Sequence, residues 1–195
     1  MGYYDYGPLV TLPRSLSLIG FLGAGTLHLG HSLASNLGLP LIDVDRRIEH
    51  HAGMSLSQLQ LQRGESVRRQ WEHWVLRKAV REQPYGIIVL GDGALLQAES
   101  SLLVTEHTLL LYLERPMEYL QRAIAHERTT HPARYPELAL PAHTPPTTAQ
   151  LSSLLEVRSV SYRAATRVLH GGYEHPTKIC QRLQRELQLD YGTAE

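Results

Sequence analysis

The chain is predicted to fold as one three-layer α/β/α domain built on a five-stranded parallel sheet, and three observations predict it. Short apolar runs alternate with helix-periodic stretches, and a glycine-rich turn joins the first run to the first helix. The third is size: 195 residues with 43% hydrophobic and 19% charged content suit a single globular domain. At this length one core removes roughly 70% of the unfolded surface from water.

Residues 15–19 read as a buried strand, and the turn at 20–25 leads into an apolar-periodic helix over 27–37 that Gly38 stops. Residues 39–42 form a second strand running into Asp43 and Asp45. Helical periodicity follows over 46–51, 55–62 and 66–82, the last with Val67, Trp71, Trp74, Val75 and Leu76 at helical spacing. Residues 87–90 and 108–113 are the third and fourth strands, and 117–127 is a helix entered through Pro116. Helices over 150–165 and 176–187 flank a last edge strand at 167–169. Between 128 and 148 five prolines interrupt the register, which predicts a long mobile lid. Residues 1–14, with Tyr3, Tyr4 and Tyr6, read as an N-terminal leader, leaving the domain at 15–190.

Lysine plus arginine balances aspartate plus glutamate at 19 each, so there is no electrostatic footprint for nucleic acid or an anionic membrane. No apolar run approaches the roughly 18 residues needed to span a bilayer. Cys180 stands alone, which rules out a disulfide framework and points to the cytoplasm. The 11 histidines, among them His28, His31, His126 and His131, lack the spacing of a zinc site and read as solvated or packed residues. Only Lys78 and Lys178 are lysines; every other basic residue is arginine.

The run Gly20-Phe-Leu-Gly23-Ala-Gly25-Thr26-Leu27 has the two-glycine frame of a phosphate-binding loop, placed between a strand and a helix. In a working loop the amides cradle phosphates at the helix N-terminus, a lysine after the last glycine reaches the outer phosphates, and the next serine or threonine holds magnesium. Those two positions are Thr26 and Leu27.

Around this loop the chain resembles the shikimate kinases over residues 15–187. The loop followed by Gly30 is similar to theirs, and Leu39-Pro-Leu-Ile-Asp-Val-Asp45 resembles their second strand with its Asp-x-Asp pair. Gly53-Met-Ser-Leu-Ser looks like the next turn, and Gly64-Glu-Ser-Val-Arg-Arg69-Gln-Trp-Glu72 like the following helix, with Arg68 where phenylalanine is usual. Gly91-Asp-Gly93 sits where the family has three glycines, and Arg158-Ser-Val-Ser-Tyr162 fits a late arginine motif.

The resemblance implies that Asp45 holds and deprotonates the accepting hydroxyl, that Arg69 and Arg158 clamp a substrate carboxylate, and that Gly91 and Gly93 admit the ring. It places Gly20, Gly23, Gly25, Thr26 and Leu27 on the nucleotide, Arg122 beside adenine and Asp43 near magnesium. The lid arginine is Arg128 or Arg134, since the expected Arg-Pro appears as His131-Pro132. Asp92 has two readings: a charge that repels an acidic ligand, or a cap on residues 94–97.

Losing the loop lysine removes a cation from the point where negative charge develops, a deficit of about 3 to 4 kcal/mol, or roughly a hundred- to thousandfold in rate. Neither lysine is expected near the loop, which leaves Arg68, Arg128 and Arg134 as substitutes. The leading expectation is therefore a catalytically impaired pseudokinase that binds a small hydroxylated carboxylic acid such as shikimate and needs no cofactor. One alternative is an active shikimate kinase using ATP and magnesium, in the synthesis of aromatic amino acids. The other is a non-catalytic scaffold for a protein partner.

Overall fold

The computed structural model of the chain describes residues 12, 14–82, 85–131, 135–141 and 143–191. The leader at 1–11 and 13, and with it the three tyrosines, lies outside the described residues; Leu12 is buried against the core.

Chain order is β1 (Leu16–Gly20), α1 (Thr26–Leu37), β2 (Leu41–Asp43), α2 (Val44–Ala52), α3 (Leu56–Glu82), β3 (Ile87–Val89), α4 (Ala98–His107), β4 (Leu109–Glu114), α5 (Met117–Thr130), a single 3-10 turn (Pro136–Leu138), α6 (Thr148–Tyr162), β5 (Arg167–His170) and α7 (Pro176–Tyr191). The five strands form one parallel sheet in the order β2-β3-β1-β4-β5. All of β1 is buried, as a central strand covered by helices on both faces must be, so Leu16-Ser-Leu-Ile-Gly20 reads as a continuous apolar run instead of an alternating one. Leu16 aligns with Ile87 of β3 on one side and with Leu109 of β4 on the other. The chain leaves β1 toward β2 and β3, then crosses to the far side for β4 and β5. That reversal opens a crevice at the carboxyl ends of β1, β2 and β3.

The two predicted helices at 55–62 and 66–82 appear as the two arms of α3, separated at Gly64, whose φ of 84° and ψ of 167° are not helical. The residues at 98–107, to which the sequence pattern assigns no element, form α4. That helix buries only Ser100 and Val104, so it presents no apolar stripe for periodicity to detect. Helix α6 starts at Thr148, earlier than the spacing predicts, because Thr147 and Gln150 form a reciprocal capping box. Among the described residues no helix is long and apolar enough to cross a membrane.

One buried side chain ties the crevice to the opposite edge of the sheet. Arg115 donates from Nε to the Ala24 carbonyl at 3.1 Å and from Nη1 to the carbonyls of Gly171 at 2.9 Å and Glu174 at 2.7 Å. Its guanidinium lies 4.3 Å over the Tyr119 ring. The turn after β5 is thereby locked to the loop after β1 by charge-assisted hydrogen bonds.

Candidate active site

The loop 21–25 leaves β1 and turns directly into α1. Gly25 takes the position before the helix with φ 85°, a left-handed conformation that a side chain would strain. Its carbonyl accepts the first helical bond, from the Leu29 amide at 3.0 Å. The frame thus points a helix N-terminus into the crevice, the geometry that favours anions. What stands there is apolar or neutral: Thr26 folds its methyl back over Gly20, where an added Cβ would lie 2.7 Å away, and Leu27 packs against the core.

The second wall comes from β2 and α2. Asp43 caps α2, accepting from the Arg46 amide at 3.2 Å, and Asp45 follows in the first turn. Asp45 Oδ1 is buried with no hydrogen-bond partner, and an added Cβ at Gly91 would stand 2.8 Å from it. Burial pushes the Asp45 carboxyl up to about 7; Arg68 opposes that rise, and Glu72, Asp43 and Asp92 add to it. A group poised there suits proton transfer near neutral pH.

The floor is a buried ionic network. Glu72, 1% exposed, accepts from Arg69 Nη1 at 2.8 and 2.6 Å and from Arg68 Nε at 3.2 Å. Arg69 also donates from Nη2 to Glu65 at 2.9 Å. Gly93 roofs Arg69 so closely that a Cβ there would lie 2.5 Å from Nη2. Arg68 donates from Nη1 to Gln60 at 2.8 Å, and Glu137 and Asp92 stand 3.8 and 3.9 Å from its guanidinium. Arg158 donates from Nε to Asp92 Oδ2 at 3.0 Å, while Tyr162 donates to the Asp92 carbonyl at 2.9 Å. Removing Glu72 would strand buried guanidiniums away from water.

The segment after α5 closes the third side. Glu127, Thr130, His131, Tyr135 and Glu137 line the cleft there, and Tyr135 donates to Glu127. Burial raises the Glu137 carboxyl to about 6. Altogether the cleft encloses about 1220 Å³. Its described lining carries six carboxylates, from Asp43, Asp45, Glu49, Asp92, Glu127 and Glu137, against the guanidiniums of Arg46 and Arg68.

The structure brings together Gly20, Gly23, Gly25, Thr26, Leu27, Asp43, Asp45 and Gly91 around one cleft, with Arg69, Gly93 and Arg158 behind its acceptor end. Arg122 sits exposed on α5 and is not among the described lining residues. Arg128 is buried and donates to the carbonyls of Leu140, Pro141 and Thr144, which pins the segment after α5. Arg134 lies outside the described residues. Asp92 pairs with Arg158 instead of capping a helix, since α4 begins only at Ala98. Neither lysine is among the described lining residues of the cleft; α7 approaches Gly25 through the Pro176 ring, 3.5 Å from an added Cβ, and the Lys178 side chain in its first turn is exposed.

Sequence reasoning gave no role to Glu72, Glu65, Glu137 or Arg115. Glu72 and Glu65 are in the quoted helix motif at three and four residues from Arg69, a spacing that puts them on its face. This residue set lacks the loop cation and the hydroxyl that hold magnesium and a nucleoside triphosphate in a working loop. Leu27 supplies no metal ligand, Asp43 spends Oδ1 on its helix cap, and no described lysine lines the loop.

The shikimate kinase family model matches residues 22–188. Among curated relatives, a shikimate kinase of Salinibacter ruber is 31% identical over 157 residues, covering 80% of this chain and 76% of that one. One of Thermobifida fusca is 32% identical over 171 residues, covering 87% and 92%. Among solved structures, the shikimate kinase from Acinetobacter baumannii in complex with shikimate superposes with a TM-score of 0.79 at 23% identity, covering 91% of this chain and 94% of that one, a likeness of fold. With this sheet order, this loop and these matches, the chain belongs to the shikimate kinase family.

Proposed function

We propose that this family member is impaired in phosphoryl transfer and acts by binding a small hydroxylated ring compound at the acceptor end of the cleft. The observation that carries the reading is the pair Thr26 and Leu27 at the mouth of α1, where the phosphate-binding chemistry calls for a cation and a metal-holding hydroxyl. The acidic lining supports it, because six carboxylates facing two guanidiniums oppose the entry of a triphosphate. Of the substitutes named from the sequence, Arg68 is engaged by Glu72 and Gln60 and Arg128 by backbone carbonyls, while Arg134 lies outside the described residues. The acceptor end supports the binding half of the reading, since Asp45, Arg69, Gly91, Gly93 and Arg158 converge there.

Thermal shift separates the alternatives, because a ligand at 100 times its Kd stabilises the native state by about 2.7 kcal/mol. Shikimate and its uncharged carboxamide serve as ring probes, MgATP as the nucleotide probe. At least one ring probe raises Tm and MgATP does not. A strong shift with MgATP and none with either ring compound would overturn the proposal.

A further inference from the structure

The acceptor end of the cleft holds an acid of its own. Asp92 lines the cleft, is 7% exposed, and receives the Arg158 Nε donor at 3.0 Å; Arg158 is 5% exposed. The two buried guanidiniums beside it are likewise matched within the chain: Arg69 by Glu72 and Glu65, Arg68 by Glu72 with Glu137 and Asp92 beside it. Three guanidiniums therefore meet four carboxylates before any ligand arrives. Asp45 and Glu137 each present a buried carboxylate oxygen without a hydrogen-bond partner to the same space. An entering carboxylate would meet other acids on three sides and no unmatched cation, whereas a hydroxyl or amide donor would meet acceptors.

We infer that Asp92, bound to Arg158 Nε, neutralises that guanidinium where a ligand carboxylate would otherwise do so, so that this pocket selects an uncharged, polyhydroxylated ring compound over the corresponding acid. The inference rests on the proposed acceptor-site binding and narrows its ligand class.

A matched pair of probes tests it: shikimate and its carboxamide differ at one group, charged in the first and neutral in the second. Titration calorimetry on the full chain near neutral pH gives a Kd for the carboxamide at least tenfold below that for shikimate. Asp92→Asn keeps the shape and removes the charge, and it lowers the shikimate Kd at least tenfold while changing the carboxamide Kd less than threefold. Should Asp92→Asn fail to fold, the wild-type ratio alone decides. Shikimate binding as tightly as the carboxamide to the wild-type chain overturns the inference and leaves acceptor-site binding standing. Neither compound binding to either protein overturns both.

Discussion

Replacing Glu72 by alanine removes the carboxylate on which two buried arginines converge. Three charge-assisted hydrogen bonds disappear, at 2.6, 2.8 and 3.2 Å. Arg68 and Arg69 remain behind, 4% and 7% exposed. Arg69 keeps Glu65, and that side chain is 56% exposed, so solvent screens what it returns. Breaking a buried pair from one side costs about 3 to 5 kcal/mol, and here one deletion strands two cations. Gln60 and Glu137 still serve Arg68, which places the expected loss near about 4 kcal/mol. Urea unfolding followed by circular dichroism measures it, with an unchanged m-value certifying that the same surface is exposed. Glu65→Ala is the control and loses less than about 1 kcal/mol, because its pair is open to water. A Glu72→Ala loss no larger than that of Glu65→Ala would refute the claim that burial makes this network sensitive.

Two further outcomes follow from the same walls. The folded Asp45 carboxyl titrates at about 7 against an ordinary 3.8, so the protonated form favours the native state. The associated stability is complete below about pH 4 and is lost as pH rises through about 7, as much as about 4 kcal/mol at 1.36 kcal/mol per pH unit. Urea midpoints of the wild type and Asp45→Asn across pH 4 to 8 check it: the gap between them widens with pH in favour of Asn, and parallel profiles would contradict the assignment. Glu137 contributes in the same direction and Glu65, whose pKa its Arg69 hydrogen bond lowers, in the opposite one, so the difference between the two proteins isolates Asp45. Gly93→Ala puts a methyl 2.5 Å from Arg69 Nη2, and because Glu72 and Glu65 hold that guanidinium in place, the variant loses about 1 to 3 kcal/mol in the same assay.

The parts of the fold legible in the sequence were those written locally. The strand, glycine loop and first helix are contiguous and switch period within ten residues, and the break at Gly64 falls between two separately periodic runs. Helix α4 was hidden because its burial falls on a serine and a single valine. The acceptor residues were readable as motifs, but their state of charge was not. Arg158 and Asp92 are 66 positions apart, and only the crossing of the chain through β4, α5 and α6 makes them partners. For the same reason the four carbonyl partners of Arg115 could not be foreseen: one lies 91 residues before it and three lie 56 to 59 after it. The docking of Pro176 of α7 beside Gly25 of the loop is likewise a tertiary fact.

The central claim is that the mouth of α1 has lost its phosphate-handling chemistry while the rest of the cleft persists. The rate of phosphate transfer from MgATP to shikimate or its carboxamide, compared between the wild type and Thr26→Lys with Leu27→Ser, tests it most directly. The wild-type rate is expected at least about a hundredfold below that of the double variant. Equal turnover in the two proteins would contradict it.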